Sequence, residues 1–211
     1  MLQNNTLRRA VAQKTIQEIT PFRSLGAILN NDEQIPPPLW GELMRRQSVC
    51  GIVGESAVGK SSFLRQLGLA VAMNEVEFLG MQLNCQTNQV LAVSTEDNEI
   101  DVRNYFMNLP IEIPEEAWER LHFLFEPPTR LVGTLRKKIE EIGGVDIITL
   151  DAYGDLFSGD MNNANEVRRF LQDLRSLSTE FNCVVLILTH KRKKKSPGSR
   201  KNEVLGSQSF E

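Results

Sequence analysis

The segment Gly54-Glu55-Ser56-Ala57-Val58-Gly59-Lys60-Ser61 has the spacing G-x-x-x-x-G-K-S. Glycines at both ends let backbone N–H groups close around an anion, and a following helix adds the partial positive charge of its N-terminus. A lysine and a hydroxyl in the last two positions suit a polyphosphate: Lys60 can reach the β- and γ-phosphates, and Ser61 can ligate Mg²⁺. The pattern has meaning only between a strand and a helix. Ser48–Val53 is an apolar run that reads as a buried strand, and Phe63, Leu64, Leu67, Leu69 and Val71 recur at near-helical spacing without proline. A helix therefore starts at or just before Lys60. Gly54, Glu55, Ser56, Ala57, Val58, Gly59, Lys60, Ser61 and Ser62 are expected to bind nucleotide; a glycine-rich structural turn is the bland alternative.

Phosphoryl transfer also needs a metal carboxylate, a group to orient the attacking water, and a sensor of the γ-phosphate. Open α/β sheets bind ligands beyond the carboxyl ends of their strands, and three candidates fall there. Asp151 follows Ile147-Ile148-Thr149-Leu150 and would hold Mg²⁺ opposite Ser61. Glu96 follows Val90–Thr95 and can act as general base; Asp97 competes for the role, and either could instead cap the helix beginning near Asn98. His190 ends the next strand, where an imidazole can sense the γ-phosphate or simply be a structural histidine. Trp40 and Tyr153 could touch adenine, with packing as their alternative use.

The elements that must position these groups alternate along the chain. Residues 89–95, 122–125, 146–150 and 183–188 read as strands. Helices are expected at 99–109, from 115 to 121, around Leu135, Ile139 and Ile142, and over 165–181, where Val167, Phe170, Leu171, Leu174 and Leu177 form one apolar stripe. Phe78–Asn84 reads as a short strand or turn, and Cys85–Asn88 as hairpin-like. Upstream, residues 5–20 look helical and the proline-rich stretch 30–38 reads as a linker. The expectation is a helical extension over 1–35 and, over 36–211, a three-layer, doubly wound, mostly parallel α/β sheet.

Composition narrows the class further. The chain has 211 residues, 41% of them hydrophobic and 24% charged, enough for one domain with a substantial core. The longest apolar run, Cys183–Leu188, is far too short to span a bilayer, and the N-terminus lacks the apolar stretch of a secretory signal. A cytoplasmic protein without membrane partners is expected. Cys50, Cys85 and Cys183 show no C-x-x-C spacing and read as small buried residues. The net charge of −3 hides an asymmetry. Seven of the 24 cations, Lys191, Arg192, Lys193, Lys194, Lys195, Arg200 and Lys201, lie within eleven residues. Such a cluster fits phosphate-backbone binding without sequence specificity; a solvated loop or a targeting signal is the alternative.

Gly54–Ser62, Phe78-Leu79-Gly80, Val93-Ser94-Thr95-Glu96-Asp97, Ile148–Asp151 and Leu186–Lys191 occur in an order and spacing that resembles the RecA-like P-loop ATPases. Within them the match is to the RepA-type replicative helicase / AAA ATPase branch found in plasmids and phages. The resemblance runs from about Pro36 to the C-terminus. It implies ATP and Mg²⁺ as cofactors, Lys60 and Ser61 as phosphate and metal residues, Glu96 as catalytic glutamate, Asp151 as second metal carboxylate, and His190 as sensor. It further implies a homo-oligomer, ring or filament, with the loop 191–202 facing nucleic acid, DNA favoured. Two departures stand out. The family's further strands and the finger residue lent to a neighbour have no counterpart before Glu211, as in a chain truncated at its C-terminus, and Gly159–Asn163 is asparagine-rich. The expected function is an Mg²⁺-dependent ATPase coupled to nucleic-acid binding, with a helicase or DNA-processing role in replication, recombination or mobile elements. The alternative is an ATP-gated oligomerisation switch with slow turnover. A small-molecule kinase fits less well, because Glu96 would then have no role.

Overall fold

The computed structural model describes residues 22–30, 35–157 and 163–190. The expected helix at 5–20, most of Gly159–Asn163 and the basic cluster 191–201 lie outside these residues. The chain divides into two units, Met1–Pro36 and Pro37–Glu211.

The first unit contains α1 (Leu25–Leu29). Ser24 caps it, its hydroxyl accepting from the Ala27 N–H, and Arg23 donates to the Ala27 carbonyl at 2.9 Å. The helix buries none of its residues, and Phe22, Leu25, Ile28 and Leu29 are all exposed.

In the second unit, β1 (Ser48–Gly54) leads into α2 (Lys60–Ala72). A tight hairpin, β2 (Glu77–Phe78) and β3 (Met81–Gln82), follows. It turns on Leu79 and Gly80, both at positive φ. Next come β4 (Val90–Ser94), α3 (Glu99–Met107), α4 (Glu115–Trp118) and β5 (Leu121–Leu124). The chain continues through α5 (Leu131–Ile142), β6 (Ile147–Asp151), α6 (Tyr153–Leu156), α7 (Ala164–Glu180) and β7 (Val184–His190). No described helix is long and apolar enough to cross a membrane.

Five strands form one parallel sheet in the order β1-β7-β6-β4-β5. Parallel strands need crossovers, and those crossovers put helices on both faces. Side-chain alternation along the central strands divides the core accordingly. Ile148, Leu150, Val185 and Ile187 pack with Leu135, Ile139, Leu174 and Leu177 of α5 and α7. Ile147, Val184, Leu186 and Leu188 point the other way, onto Leu64, Leu67 and Val71 of α2 and onto Leu39 and Trp40. This is the three-layer, doubly wound α/β architecture that the sequence predicts.

Local corrections are small and have physical causes. The hairpin is at 77–82, and Cys85–Asn88 is instead a loop whose backbone wraps a carboxylate, described below. The helix at 115 makes a single turn, because Leu121 is already paired with Val90 in the sheet. The turn of helix at Tyr153–Leu156 had no periodic signal. Trp40 is core: it is 5% exposed, its indole N–H donates to the Phe78 carbonyl at 2.8 Å, and it packs on Phe63 and Phe78. Cys183 is buried and Cys85 half-buried, and burial pushes both thiols up to about 12, so they stay neutral. Cys50, on the outermost strand β1, is only half-buried.

Candidate nucleotide-binding site

The phosphate loop leaves β1 at Gly54 and enters α2 at Lys60. Two residues in it take the left-handed conformation: Ala57 at φ 62° and Gly59 at φ 87°. Gly59, the N-cap of α2, contributes no side-chain cap, and the first turn carries no acidic residue. The helix N-terminus is thus left to an external anion, the arrangement that favours phosphate. At Gly54 a Cβ would stand 3.2 Å from Lys60 Cδ and 3.4 Å from Val58 Cγ2, so a larger residue would press on the side chains that the loop folds over. Lys60 is buried, and its Nζ donates to the Glu55 carbonyl at 2.6 Å, across the mouth of the loop.

The other candidates converge on the same edge of the sheet because β7 is inserted between β1 and β6. His190 closes β7 in register with Gly54, and Ser94 closes β4 in register with Asp151. The Ser61 hydroxyl donates to the Asp151 carboxylate. Asp151 is 6% exposed. Burial, reinforced by the neighbouring Glu96 and Asp97 carboxylates, holds its carboxyl above the usual range, against the lowering effects of the Ser61 hydroxyl and Arg65. A buried carboxylate and a hydroxyl in contact are hard oxygen donors, the set Mg²⁺ takes when substrate phosphates and water complete its shell. Among the described residues no group of three or more His, Cys, Asp or Glu forms a metal cage. A cation here would rely on the substrate for its remaining ligands. The residues fit Mg²⁺ on those terms.

Thr95 stitches β4 to β6: its N–H and hydroxyl both donate to the Asp151 carbonyl, at 2.8 and 3.2 Å, and its oxygen accepts from Ala152 N–H at 3.2 Å. Beyond it, Glu96 and Asp97 part company. Asp97 accepts from the Ser94 hydroxyl at 2.9 Å and pairs with the Arg65 guanidinium of α2. Glu96 is exposed at the same edge. Neither caps α3. Asn98 does so, accepting from Ile100 and Asp101 N–H in a capping box with Asp101. Sequence reasoning had no part for Arg65. Its one signal was a lone cation amid the apolar residues that follow Ser62 on α2.

A parallel sheet with a G-x-x-x-x-G-K-S loop at its carboxyl edge, and a buried aspartate at the end of β6, one strand removed from β1, defines a P-loop nucleotide-binding protein. Residues 18–196 match the family model described as AAA domain, and the chain belongs to that family of P-loop ATPases. No curated protein matches it.

Proposed function

We propose that this ATPase is Mg²⁺-dependent, belongs to the RepA-type helicase branch, and couples hydrolysis to nucleic acid, DNA favoured, as a homo-oligomer. The observation that carries the reading is the shared edge: Gly54 and His190 in register, Ser94 and Asp151 in register, and a run of cations beginning one residue after His190. In this reading Lys60 binds the β- and γ-phosphates, and Ser61 and Asp151 hold the metal. Mg²⁺, when bound, neutralises charge developing on the phosphate oxygens. Glu96 takes the proton of the attacking water as its oxygen bonds to the γ-phosphorus and the bond to the ADP oxygen breaks. The exposure of Glu96 at the carboxyl edge of the sheet, where the phosphate loop also lies, supports it for this role. His190 senses the γ-phosphate and hands the change to the basic residues Lys191–Lys201.

ATPase rates with and without single- and double-stranded DNA test the proposal, together with DNA retention at rising salt. Stimulation by DNA, with retention that falls steeply as salt rises, is expected. Flat rates and no retention at low salt would remove the nucleic-acid half. Particle mass with and without a non-hydrolysable ATP analogue tests the oligomer, which should grow or tighten with the analogue.

A second reading, an ATP-gated assembly switch with slow turnover, draws support from α1 and the residues before it, where Phe22, Leu25, Ile28 and Leu29 are exposed. Glu96→Gln separates the two. A motor loses function when turnover stops, whereas a switch is locked in its active, nucleotide-bound state.

A further inference from the structure

Arg65 lies one helical turn beyond Ser61 on α2, and its side chain joins three elements. Its guanidinium pairs with Asp97, in the turn between β4 and α3, and sits 4.9 Å over the ring of Tyr105 on α3. Tyr105 in turn donates its hydroxyl to the carbonyl of Ser62, at 3.4 Å, beside the phosphate loop. The Arg65 and Asp97 side chains are 14% and 22% exposed. Glu96 lies between two anchored residues. Thr95 is tied to the Asp151 backbone on one side, and Asp97 to Arg65 and Ser94 on the other.

We infer that Arg65 is a positioning residue for hydrolysis, acting through Asp97 to hold the Glu96 carboxylate in register with the phosphate loop. The inference rests on the reading of Glu96 as the base. A salt bridge on a free surface contributes about 0–1 kcal/mol and would matter little. This one is partly buried, backed by an aromatic face, and spans from the helix that begins with Lys60 and Ser61 to the turn that carries the base. Phosphoryl transfer is sensitive to such geometry, since a misplacement of about 1 Å can lower a rate roughly a hundredfold. A staple that served only stability would leave turnover per folded molecule unchanged.

The test measures single-turnover ATP hydrolysis and affinity for a fluorescent ATP analogue on the full chain. The variants are Arg65→Ala, Asp97→Asn, Glu96→Gln and the double variant Arg65→Ala/Glu96→Gln. Arg65→Ala and Asp97→Asn should each slow hydrolysis about 10- to 100-fold. Their nucleotide affinity should stay within about threefold of wild type, a shift of well under 1 kcal/mol. In the Glu96→Gln background, Arg65→Ala should change the residual rate less than about twofold, because the group it positions is gone. Wild-type rates in both clamp variants overturn the inference, as does an equal loss from Arg65→Ala with and without Glu96. Should Arg65→Ala fail to fold, the near-isosteric Asp97→Asn decides alone. Unfolding of both variants assigns the pair to stability and also overturns it. Glu96→Gln at the wild-type rate removes the base and the clamp together, whereas an inactive Glu96→Gln beside a wild-type Arg65→Ala removes the clamp only.

Discussion

Arg46 and Asp146, one hundred residues apart in sequence, form an ion pair whose side chains are 1% and 0% exposed, at the amino end of the sheet. Asp146 also accepts from the N–H groups of Gln86, Thr87 and Asn88 and from the Thr87 hydroxyl. Arg46 donates to the carbonyls of Asn84 and Asn182. The approaches to β1, β4, β6 and β7 are thereby tied at one point, opposite the edge that carries the phosphate loop. Two charges out of water are tolerated only when both are hydrogen-bonded in this way, and removing one partner strands the other. Asp146→Ala should therefore lower unfolding free energy by about 3–5 kcal/mol in urea denaturation. Its midpoint should fall without a change in nucleotide affinity at temperatures where it stays folded. A loss below about 1 kcal/mol would mean that the pair is replaceable by water.

Lys60 turns its ammonium onto the Glu55 carbonyl, within the loop that it is expected to lend to a phosphate. Replacing that loop-internal bond with a bond to phosphate exchanges a neutral acceptor for a charged one, worth roughly 1.5–3 kcal/mol. Lys60→Ala should weaken ATP binding about 10- to 100-fold in a fluorescent-nucleotide titration. Its melting temperature should move far less than its affinity, since the Glu55 contact lies within the loop. Unchanged affinity would sink the assignment of the loop as the phosphate site.

Asp151, the carboxylate that the proposed metal site would use, shows the reverse pattern. Its carboxyl is raised by burial and by Glu96 and Asp97. An acid whose folded value lies above its unfolded one binds a proton more readily in the fold, so stability falls as pH rises through the folded value. At neutral pH the carboxylate is a net penalty that a bound cation would relieve. Asp151→Asn keeps an acceptor for Ser61 and removes the charge. Without nucleotide it should melt roughly 2–4 °C above the parent near pH 7.5, corresponding to about 1 kcal/mol. The further rise that Mg²⁺ with ADP gives the parent should be absent. A variant that melts lower, or still responds to Mg²⁺, contradicts this account.

The phosphate loop was legible because its chemistry is local: two glycines, a lysine and a serine within eight residues, between an apolar run and a helical one. The position of Asp151 was legible for a related reason, since the run Ile147-Ile148-Thr149-Leu150 ending in a carboxylate describes a strand end. The contact between Arg65 and Asp97 was not, because it joins residues 32 apart on different elements. The same holds for Asp146, which looked like the first residue of a strand. Its function is to collect N–H groups from a loop about 60 residues distant. Alternating strands and helices imply parallel pairing but not the order of the sheet. The insertion of β7 between β1 and β6, which brings His190 beside Gly54, is a tertiary fact.

His122 on β5 offers a test of pH dependence away from the phosphate loop. Its Nε2 meets the Gln89 side-chain oxygen at 3.0 Å. Burial lowers its affinity for a proton, as does Lys138, against the opposing Glu119 and Glu141. A histidine whose folded value lies below the unfolded 6.5 is neutral in the fold while the unfolded chain is already charged. Its contribution is fully present above pH 6.5 and is lost as pH falls below it. Thermal melts at pH 7.5 and 5.5 should show the parent losing more than His122→Gln, by on the order of 1 °C for a half-exposed ring. Glutamine keeps a donor for Gln89 and cannot titrate, so the difference isolates the proton. Equal losses in the two proteins, or a larger loss in the variant, would place the acid sensitivity elsewhere.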